Sequence, residues 1–250
     1  MNQTVIVVGL GEVGKPLLEI MKSRHQTFGV DINQSASISQ CDVMHICFPF
    51  QSGKFVGQVV EYIHQYRPAL TVINSTVAPG TTRSIAVESG TAVVHSPVRG
   101  KHVRMQEEML HYTKFVGALD QQSGQRAIEH FEGVGMKTKL LASPEASEIA
   151  KLTETTYFGL LIAWAQEVER YCTTLGANYD EVVSFYDEIK FFPPTKYFPG
   201  EIGGHCVMPN INILLQKFPS ALLEAIVQSN TLRQKNIGRE GWLNRVVLRL

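Results

Sequence analysis

The first half of the chain alternates short runs rich in β-branched residues with amphipathic stretches, the pattern of a parallel sheet with crossover helices. Candidate strands are Thr4–Val8, Thr27–Val30, Val43–Phe48, Leu70–Asn74, Ala92–His95 and Lys114–Gly117. Six strands so spaced predict a doubly wound, parallel α/β sheet. The stretch from Val98 to Tyr112 is polar, basic at its start, and reads as a loop over the edge where such sheets bind ligands.

The pattern changes at Ser143-Pro144-Glu145, where a hydroxyl N-cap, a proline at the first helical position and an acid in the first turn signal a helix start. Ala146, Ile149, Thr153, Tyr157, Leu160, Trp164, Val168, Tyr171 and Leu175 then recur at steps of three or four, one helical face that stops at Gly176. At 1.5 Å per residue this helix is about 48 Å long. The exposed part of its stripe is expected either to meet a second copy of the chain or to bridge two domains. Tyr179–Tyr186 reads as a further helix and Phe191–Pro199 as an aromatic, proline-rich loop. Pro209 opens a helix through Leu214-Leu215, and Ala221–Asn236 forms the last one. The expected division is a sheet domain over residues 1–142 and an all-α domain over residues 143–250, built on the one long helix.

A chain of 250 residues accommodates that pair of domains. Lysine plus arginine and aspartate plus glutamate each number 23, so the formal charge is zero and nothing points to nucleic acid or a membrane surface. No apolar run approaches the roughly 20 residues of a membrane span. No basic leader precedes Val5–Val8, so the expected location is cytoplasmic. Cys41, Cys47, Cys172 and Cys206 lack paired metal-ligand spacing, which predicts reduced thiols and no metal site.

Candidate chemistry begins with Gly9-Leu10-Gly11-Glu12-Val13-Gly14, which follows a strand directly and opens the helix Lys15–Lys22. In such a fingerprint the first glycine permits the turn, the second lets the backbone approach a pyrophosphate and the third lets helix and strand pack closely. The pyrophosphate then lies on the amides of the helix N-terminus. Asp31 ends the second strand, where a carboxylate accepts from ribose hydroxyls and repels a 2′-phosphate, favouring NAD over NADP. A flavin is the alternative.

Ser75-Thr76 ends the fourth strand, where a hydroxyl either reaches the nicotinamide or a water or merely caps the next helix. Lys151 lies early on the long helix, four residues from Thr155 and on the same face. A lysine there either stabilises a developing alkoxide or is a solvated surface charge. Gly203-Gly204-His205-Cys206 places a soft nucleophile in a chain that opens with a hydride-acceptor fingerprint, which suggests oxidation through a sulfur adduct.

Together these residues resemble the UDP-glucose/GDP-mannose dehydrogenase family, particularly members with a Gly-Gly-His-Cys signature. The resemblance runs, in the family's order, through the glycine fingerprint, Ser75-Thr76-Val77 with Pro79-Gly80-Thr81-Thr82, and Ser96-Pro97. It continues in Glu148 with Lys151-Leu152 and in Pro199-Gly200 leading to Gly203-Gly204-His205-Cys206. It implies a Rossmann NAD domain followed by a helical substrate and dimerisation domain, and a homodimer through the long helix. It also implies two successive hydride transfers, in which Cys206 captures an aldehyde and the resulting thioester is hydrolysed. Lys151 becomes the oxyanion stabiliser and Thr76 the residue orienting water or cofactor. Val98, Arg99, Lys151, Gly203, Gly204 and His205 become substrate contacts, and Phe48 and Pro49 join Ser75 and Thr76 on the cofactor side.

The departures fall on functional positions. Val98 stands where the family usually has a catalytic glutamate, and Asn210 where it has an aspartate. Thr155 replaces an asparagine, and Phe48-Pro49-Phe50-Gln51 replaces Val-Pro-Thr-Pro. General acid–base help is worth about 10²–10⁴ in rate, so hydrolysis of the thioester is expected to suffer most, with Asn210 and Thr155 as the surviving polar groups beside Cys206 and Lys151. The chain ends near the point where the family's second Rossmann-like domain begins. The expected function is therefore NAD-dependent oxidation of a sugar-like or other small hydroxyl substrate. The alternatives are a single-step alcohol dehydrogenase or carbonyl reductase without a covalent intermediate, and a catalytically silent NAD-binding sensor or scaffold.

Overall fold

Alternating burial on both faces makes each strand of the first half two-sided. Val5, Val43, Leu70 and Val72 point into one core layer, and Ile6, Val8, Met44, Ile46 and Ile73 into the other. Strands buried on both faces need helices on both sides, and the computed structural model, which describes residues 2–99, 104–189, 197–203 and 206–247, supplies them. The seven strands are β1 (Thr4–Val8), β2 (Gln26–Val30), β3 (Val43–Ile46), β4 (Leu70–Ile73), β5 (Val93–His95), β6 (Lys114–Ala118) and β7 (Thr138–Leu141). Their order across the sheet is β2-β1-β3-β4-β5-β6-β7. Helices α1 (Gly14–Lys22), α4 (Met105–His111) and α5 (Gln121–Gly133) cover one face, while α2 (Phe55–Tyr66) and α3 (Thr81–Ser89) cover the other.

Three features depart from the sequence expectation. The sheet is not wholly parallel, because β6 runs antiparallel to β5, with Val94 opposite Ala118 and His95 opposite Gly117. β6 therefore starts at the edge where β5 ends. The supposed loop Val98–Tyr112 contains α4, anchored by buried Met105 and Met109 at helical spacing. Strand β7 was missed because it is an outer strand whose Lys139 and Leu140 are exposed, so it shows no apolar run.

The chain divides into two compact units, Met1–Lys151 and Leu152–Leu250. The sequence placed the change at Ser143, where α6 (Pro144–Leu175, 32 residues) begins. The first two turns of α6 instead belong to the sheet unit. Glu145 pairs with Arg83 at 2.7 Å, Ser147 Oγ lies 2.9 Å from His95 Nδ1, and the Glu148 carboxylate binds the start of α3.

The second unit holds the rest of α6, α7 (Tyr179–Ser184), a 3-10 turn (Phe185–Glu188), α8 (Val207–Lys217) and α9 (Ala221–Val247). Leu152, Ala163, Ile202, Val207, Ile211, Leu214, Leu223 and Ile226 form its main core. Small residues on α6 let α8 approach: a Cβ on Gly159 would lie 2.6 Å from Val207 Cγ1. From Leu152 to Gln166 the buried residues at helical spacing on α6 are Leu152, Thr156, Gly159, Ala163 and Gln166; of the predicted stripe, Val168 is buried and Leu160 half-buried. Much of that stripe stays exposed, with Tyr157 at 54 %, Trp164 at 53 % and Leu175 at 83 %. Among the described residues no helix is long and apolar enough to cross a membrane.

Candidate functional site

In the sheet unit the glycine loop leaves β1 and turns at Gly9, whose φ of 89° suits glycine and whose Cβ would lie 2.8 Å from Phe48 N. Gly14 opens α1 so close to the turn that a side chain would collide with the Gly9 carbonyl oxygen. Both glycines are thus required by the fold. Gly11 is exposed, and a Cβ there meets nothing within 4 Å. The open space at Gly11 is what a loop offering its backbone to a large ligand needs. Glu12 is exposed and Val13, half-buried, is the N-cap of α1 without a side-chain cap. Lys15 N donates to the Gly11 carbonyl at 3.1 Å and Leu17 N to the Val13 carbonyl at 3.2 Å, so the exposed loop residues Gly11 and Glu12, with the positive end of the helix dipole beside them, are what this turn presents to an anion. Asp31 lies directly beside this loop. One carboxylate oxygen accepts from Leu10 N at 3.1 Å and the other from Ile32 N at 2.8 Å. The residues present therefore fit a dinucleotide.

Phe48 follows β3 and packs on Phe55 and Tyr62, with ring centroids 5.0 Å and 6.0 Å away, while Pro49 beside it is exposed. The Ser75 hydroxyl donates to the Phe48 carbonyl at 2.6 Å, so Ser75 ties the end of β4 to the end of β3. Thr76, the next residue, is half-buried. Val98 lies in the core with Met105 and Met109, and Arg99 stands 5.5 Å from the Tyr112 ring centroid and 5.7 Å from that of Phe115.

Glu148 explains why Pro79-Gly80-Thr81-Thr82 and the start of α6 travel together. Gly80 adopts φ 94° as the N-cap of α3, and the fully buried Glu148 carboxylate accepts from Gly80 N at 2.6 Å and Thr82 N at 2.9 Å. Burial pushes the Glu148 carboxyl above its ordinary range, against these bonds. His95 Nε2 lies 3.2 Å from the Ser75 carbonyl oxygen and its Nδ1 meets Ser147, so one imidazole joins β4 to α6. Burial drives this histidine down to about 3, with the charges of Lys114 and Lys151 acting in the same direction. Lys151, half-buried, thus stands within electrostatic reach of the strand ends.

In the helical unit Cys206 is exposed and is the N-cap of α8. One turn on, Asn210 is buried and its Nδ2 donates to Thr155 Oγ1 at 2.8 Å, while Thr155 donates to the Leu152 carbonyl at 3.0 Å. The fold therefore brings together Asn210 and Thr155, which are far apart in the chain. Gly203 is exposed; Gly204 and His205, and most of the predicted loop Phe191–Pro199, lie outside the described residues.

Sequence reasoning missed the groups that hold this segment. Asn230 on α9 accepts from Ile202 N at 2.7 Å and donates to the Ile202 carbonyl at 3.0 Å, and Gln166 on α6 donates to the Gly200 carbonyl at 2.7 Å. Ser229 donates to Gln166 Oε1 at 2.8 Å. The available signal was an amide side chain interrupting an apolar helical face, which is costly unless it is bonded. Among the described residues, no group of three or more His, Cys, Asp or Glu is placed to hold a metal ion.

Residues 145–233 match the family described as UDP-glucose/GDP-mannose dehydrogenase family, central domain. The chain is 23 % identical over 272 residues to UDP-N-acetyl-D-mannosamine dehydrogenase of Methanocaldococcus jannaschii, an alignment covering 89 % of this chain and 64 % of that protein. Among solved structures it is similar to the UDP-N-acetyl-mannosamine dehydrogenase Cap5O of Staphylococcus aureus, with TM-score 0.79 and 20 % identity over 99 % of this chain and 71 % of that one. It is also similar to Mycobacterium tuberculosis 3-hydroxyisobutyrate dehydrogenase, with TM-score 0.73 and 16 % identity, covering 95 % and 94 % of the two chains. At these identities the structures show the fold alone. The chain spans under two thirds of the length of the first curated relatives it matches.

Proposed function

With residues 145–233 carrying the central domain of the UDP-glucose/GDP-mannose dehydrogenase family, we propose that this protein is an NAD-dependent oxidoreductase acting on a hydroxyl of a sugar nucleotide or related small substrate. The observation that carries the reading is that one family match spans Lys151, Thr155, Cys206 and Asn210, in a chain whose glycine loop has its Gly11 position open and Asp31 beside it. NAD, when bound, supplies the hydride acceptor. Gly9–Gly14 and the start of α1 would hold its pyrophosphate, Asp31 its adenosine ribose, and Phe48, Pro49, Ser75 and Thr76 would line its further course.

In the first step the substrate carbon loses a hydride and its hydroxyl a proton, giving an aldehyde; Lys151 stabilises the developing alkoxide. Cys206 Sγ then bonds to the carbonyl carbon while the thiol proton passes to the carbonyl oxygen, and the thiohemiacetal loses its hydroxyl proton and a second hydride, for which a second NAD would be the acceptor, to become a thioester. Water adds to the thioester carbon, the carbon–sulfur bond breaks, and the acid leaves with the thiol restored. Asn210 and Thr155 orient water or the adduct by hydrogen bonds. Neither is a base at neutral pH, so hydrolysis is the slow step. The bond between Asn210 and Thr155 favours a second reading, in which reaction ends at the aldehyde after one hydride transfer. The exposed apolar residues Tyr157, Trp164, Tyr171 and Leu175 on α6 support a homodimer through this helix.

The test combines NADH absorbance against a panel of UDP-sugars with the intact mass of the protein. Cys206→Ser is expected to form aldehyde and no acid, and to lose the covalent adduct. A Cys206→Ser protein with unchanged products would exclude the covalent route, and a wild-type protein that forms no NADH with any of the sugars would exclude the oxidoreductase reading for that substrate class.

A further inference from the structure

Lys114 is a buried lysine whose ammonium bonds to an amide and two carbonyl oxygens and to no carboxylate among the described residues. Buried lysines are rare because desolvating an ammonium costs several kcal/mol unless its hydrogen bonds are replaced. Here they are replaced one for one. Lys114 Nζ donates to the Ser96 carbonyl at 2.7 Å, to Asn74 Oδ1 at 3.1 Å and to the Pro97 carbonyl at 3.3 Å, three acceptors for three N–H groups, and it stands 5.2 Å from the Phe131 ring centroid.

The polar chain continues behind Asn74, whose Nδ2 lies 3.1 Å from His45 Nδ1; His45 Nε2 lies 2.9 Å from His130 Nε2, and His130 Nδ1 lies 2.7 Å from Gln3 Oε1. The tautomers follow from the network. Gln3 Oε1 only accepts, so His130 donates through Nδ1 and accepts through Nε2. His45 therefore donates through Nε2 and accepts the Asn74 amide at Nδ1. Every bond then runs one way, from Lys114 toward Gln3. Asn74 is thereby compelled to turn its oxygen to Lys114, because its NH₂ is committed to His45.

The antiparallel direction of β6 puts Lys114 at the edge where β4 and β5 end. Asn74 follows β4 directly, and Ser96 and Pro97 follow β5. The ammonium is thus a tie between two strand ends. In a doubly wound sheet the two halves each receive one nucleotide of the dinucleotide beyond the carboxyl ends of their strands. The glycine loop and Asp31 belong to the first half, the tied ends of β4 and β5 to the second.

We propose that Lys114 is the positioning residue of the nicotinamide half of the cofactor site, holding Ser75-Thr76 and Val98-Arg99 at a fixed separation through the backbone without touching the cofactor. The proposal rests on the dinucleotide reading of the glycine loop. Burial lowers the Lys114 pKa to about 7; the thiol of Cys47 acts to raise it and the charge of Lys151 to lower it. The other titratable groups around it are silent near neutrality: burial holds His95 and His130 near 3 and His45 well below its usual value, and raises Cys47 to about 12. Loss of a proton leaves two donors for three acceptors, so the tie loosens as pH rises through 7.

The experiment is titration calorimetry of the full chain with NAD and, separately, with ADP-ribose, which lacks the nicotinamide. Lys114→Met is expected to weaken NAD about tenfold and ADP-ribose less than about twofold, while Lys114→Arg, charged at every pH used, stays within about threefold of wild type. In the wild type, the affinity for NAD relative to ADP-ribose is expected to fall between about pH 6 and pH 8.5, and in Lys114→Arg to stay flat. Equal loss of both ligands in Lys114→Met, no loss of either, or a wild-type ratio independent of pH each overturns the proposal. If neither variant folds, the wild-type pH series decides. A wild-type protein that binds neither ligand overturns the dinucleotide reading itself and the proposal with it.

Discussion

The two units bury polar groups of different kinds. In the sheet unit the buried set includes a lysine, a glutamate and four histidines: Lys114, Glu148, His25, His45, His95 and His130. In the helical unit, among the described residues, it consists of Thr156, Gln166, Asn210 and Asn230, none of which titrates. Members of both sets do the same mechanical work, holding backbone that has left regular structure. Lys114, His95 and Glu148 fix strand ends and the start of α3; Gln166 and Asn230 fix Gly200–Ile202 ahead of Cys206. The difference is that the first hold depends on pH and the second does not.

The largest effect that separates the units comes from acid. The folded-state pKa values of His95 and His130 are lowered from 6.5 to about 3, so between these limits the unfolded chain binds more protons than the folded one. Their stabilising contribution is complete above pH 6.5 and is lost as pH falls below it. At pH 5 each loses about 2 kcal/mol, hence roughly 4 kcal/mol together. Glu148, raised by burial, works in the opposite sense. Amide exchange followed from pH 7 to pH 5 is expected to accelerate across β3, β5 and α5 and to leave α8 and the first half of α9 largely unaffected. Equal acceleration in both units breaks the comparison.

Glu148→Ala gives the next effect, about 3 kcal/mol, read as a lower urea midpoint for the sheet unit. Two charge-assisted bonds to the start of α3 disappear, and the Gly80 and Thr82 amides are left unpaired. Glu148→Gln, which keeps one acceptor oxygen, is expected to recover about half. If Glu148→Ala leaves the sheet unit as stable as before, the capping role assigned to this carboxylate is wrong.

The same contrast explains what could be read from the chain. The places of the glycine loop, Asp31 and Ser75-Thr76 in the fold are legible because each lies within a few residues of a strand end, where local sequence and local geometry are the same thing. The strands were legible because burial on both faces makes continuous apolar runs. Lys114 and His95 were not, since a lysine or histidine within a strand reads as an exposed alternation until the antiparallel turn of β6 shows which carbonyls it meets. Glu148 was visible as part of a motif, but its partners are more than sixty residues away. The face of α6 was misjudged because, beside Leu152 and Val168, its buried side includes small and polar residues, Thr156, Gly159, Ala163 and Gln166, while Tyr157, Trp164, Tyr171 and Leu175 face outward.

Asn230→Ala is the smallest change and the most informative about the helical unit. Ile202 is buried, and its amide and carbonyl are both bonded to the Asn230 side chain, so truncation strands two backbone groups where water does not reach them. Unsatisfied buried groups of this kind cost about 1–3 kcal/mol. Gln166 still holds Gly200 and limits the damage, which puts the expected loss near the middle, about 2 kcal/mol, or roughly thirtyfold in the local opening constant. Amide exchange at residues 201–203 reports that opening, and the alkylation rate of Cys206, the exposed cysteine, reports whether it reaches the sulfur. Because both clamps are amides, the change is expected to be the same at pH 6 and pH 8. A pH-dependent opening in Asn230→Ala would mean that a titrating group also holds this segment, and the division of labour between the units would fail on its helical side.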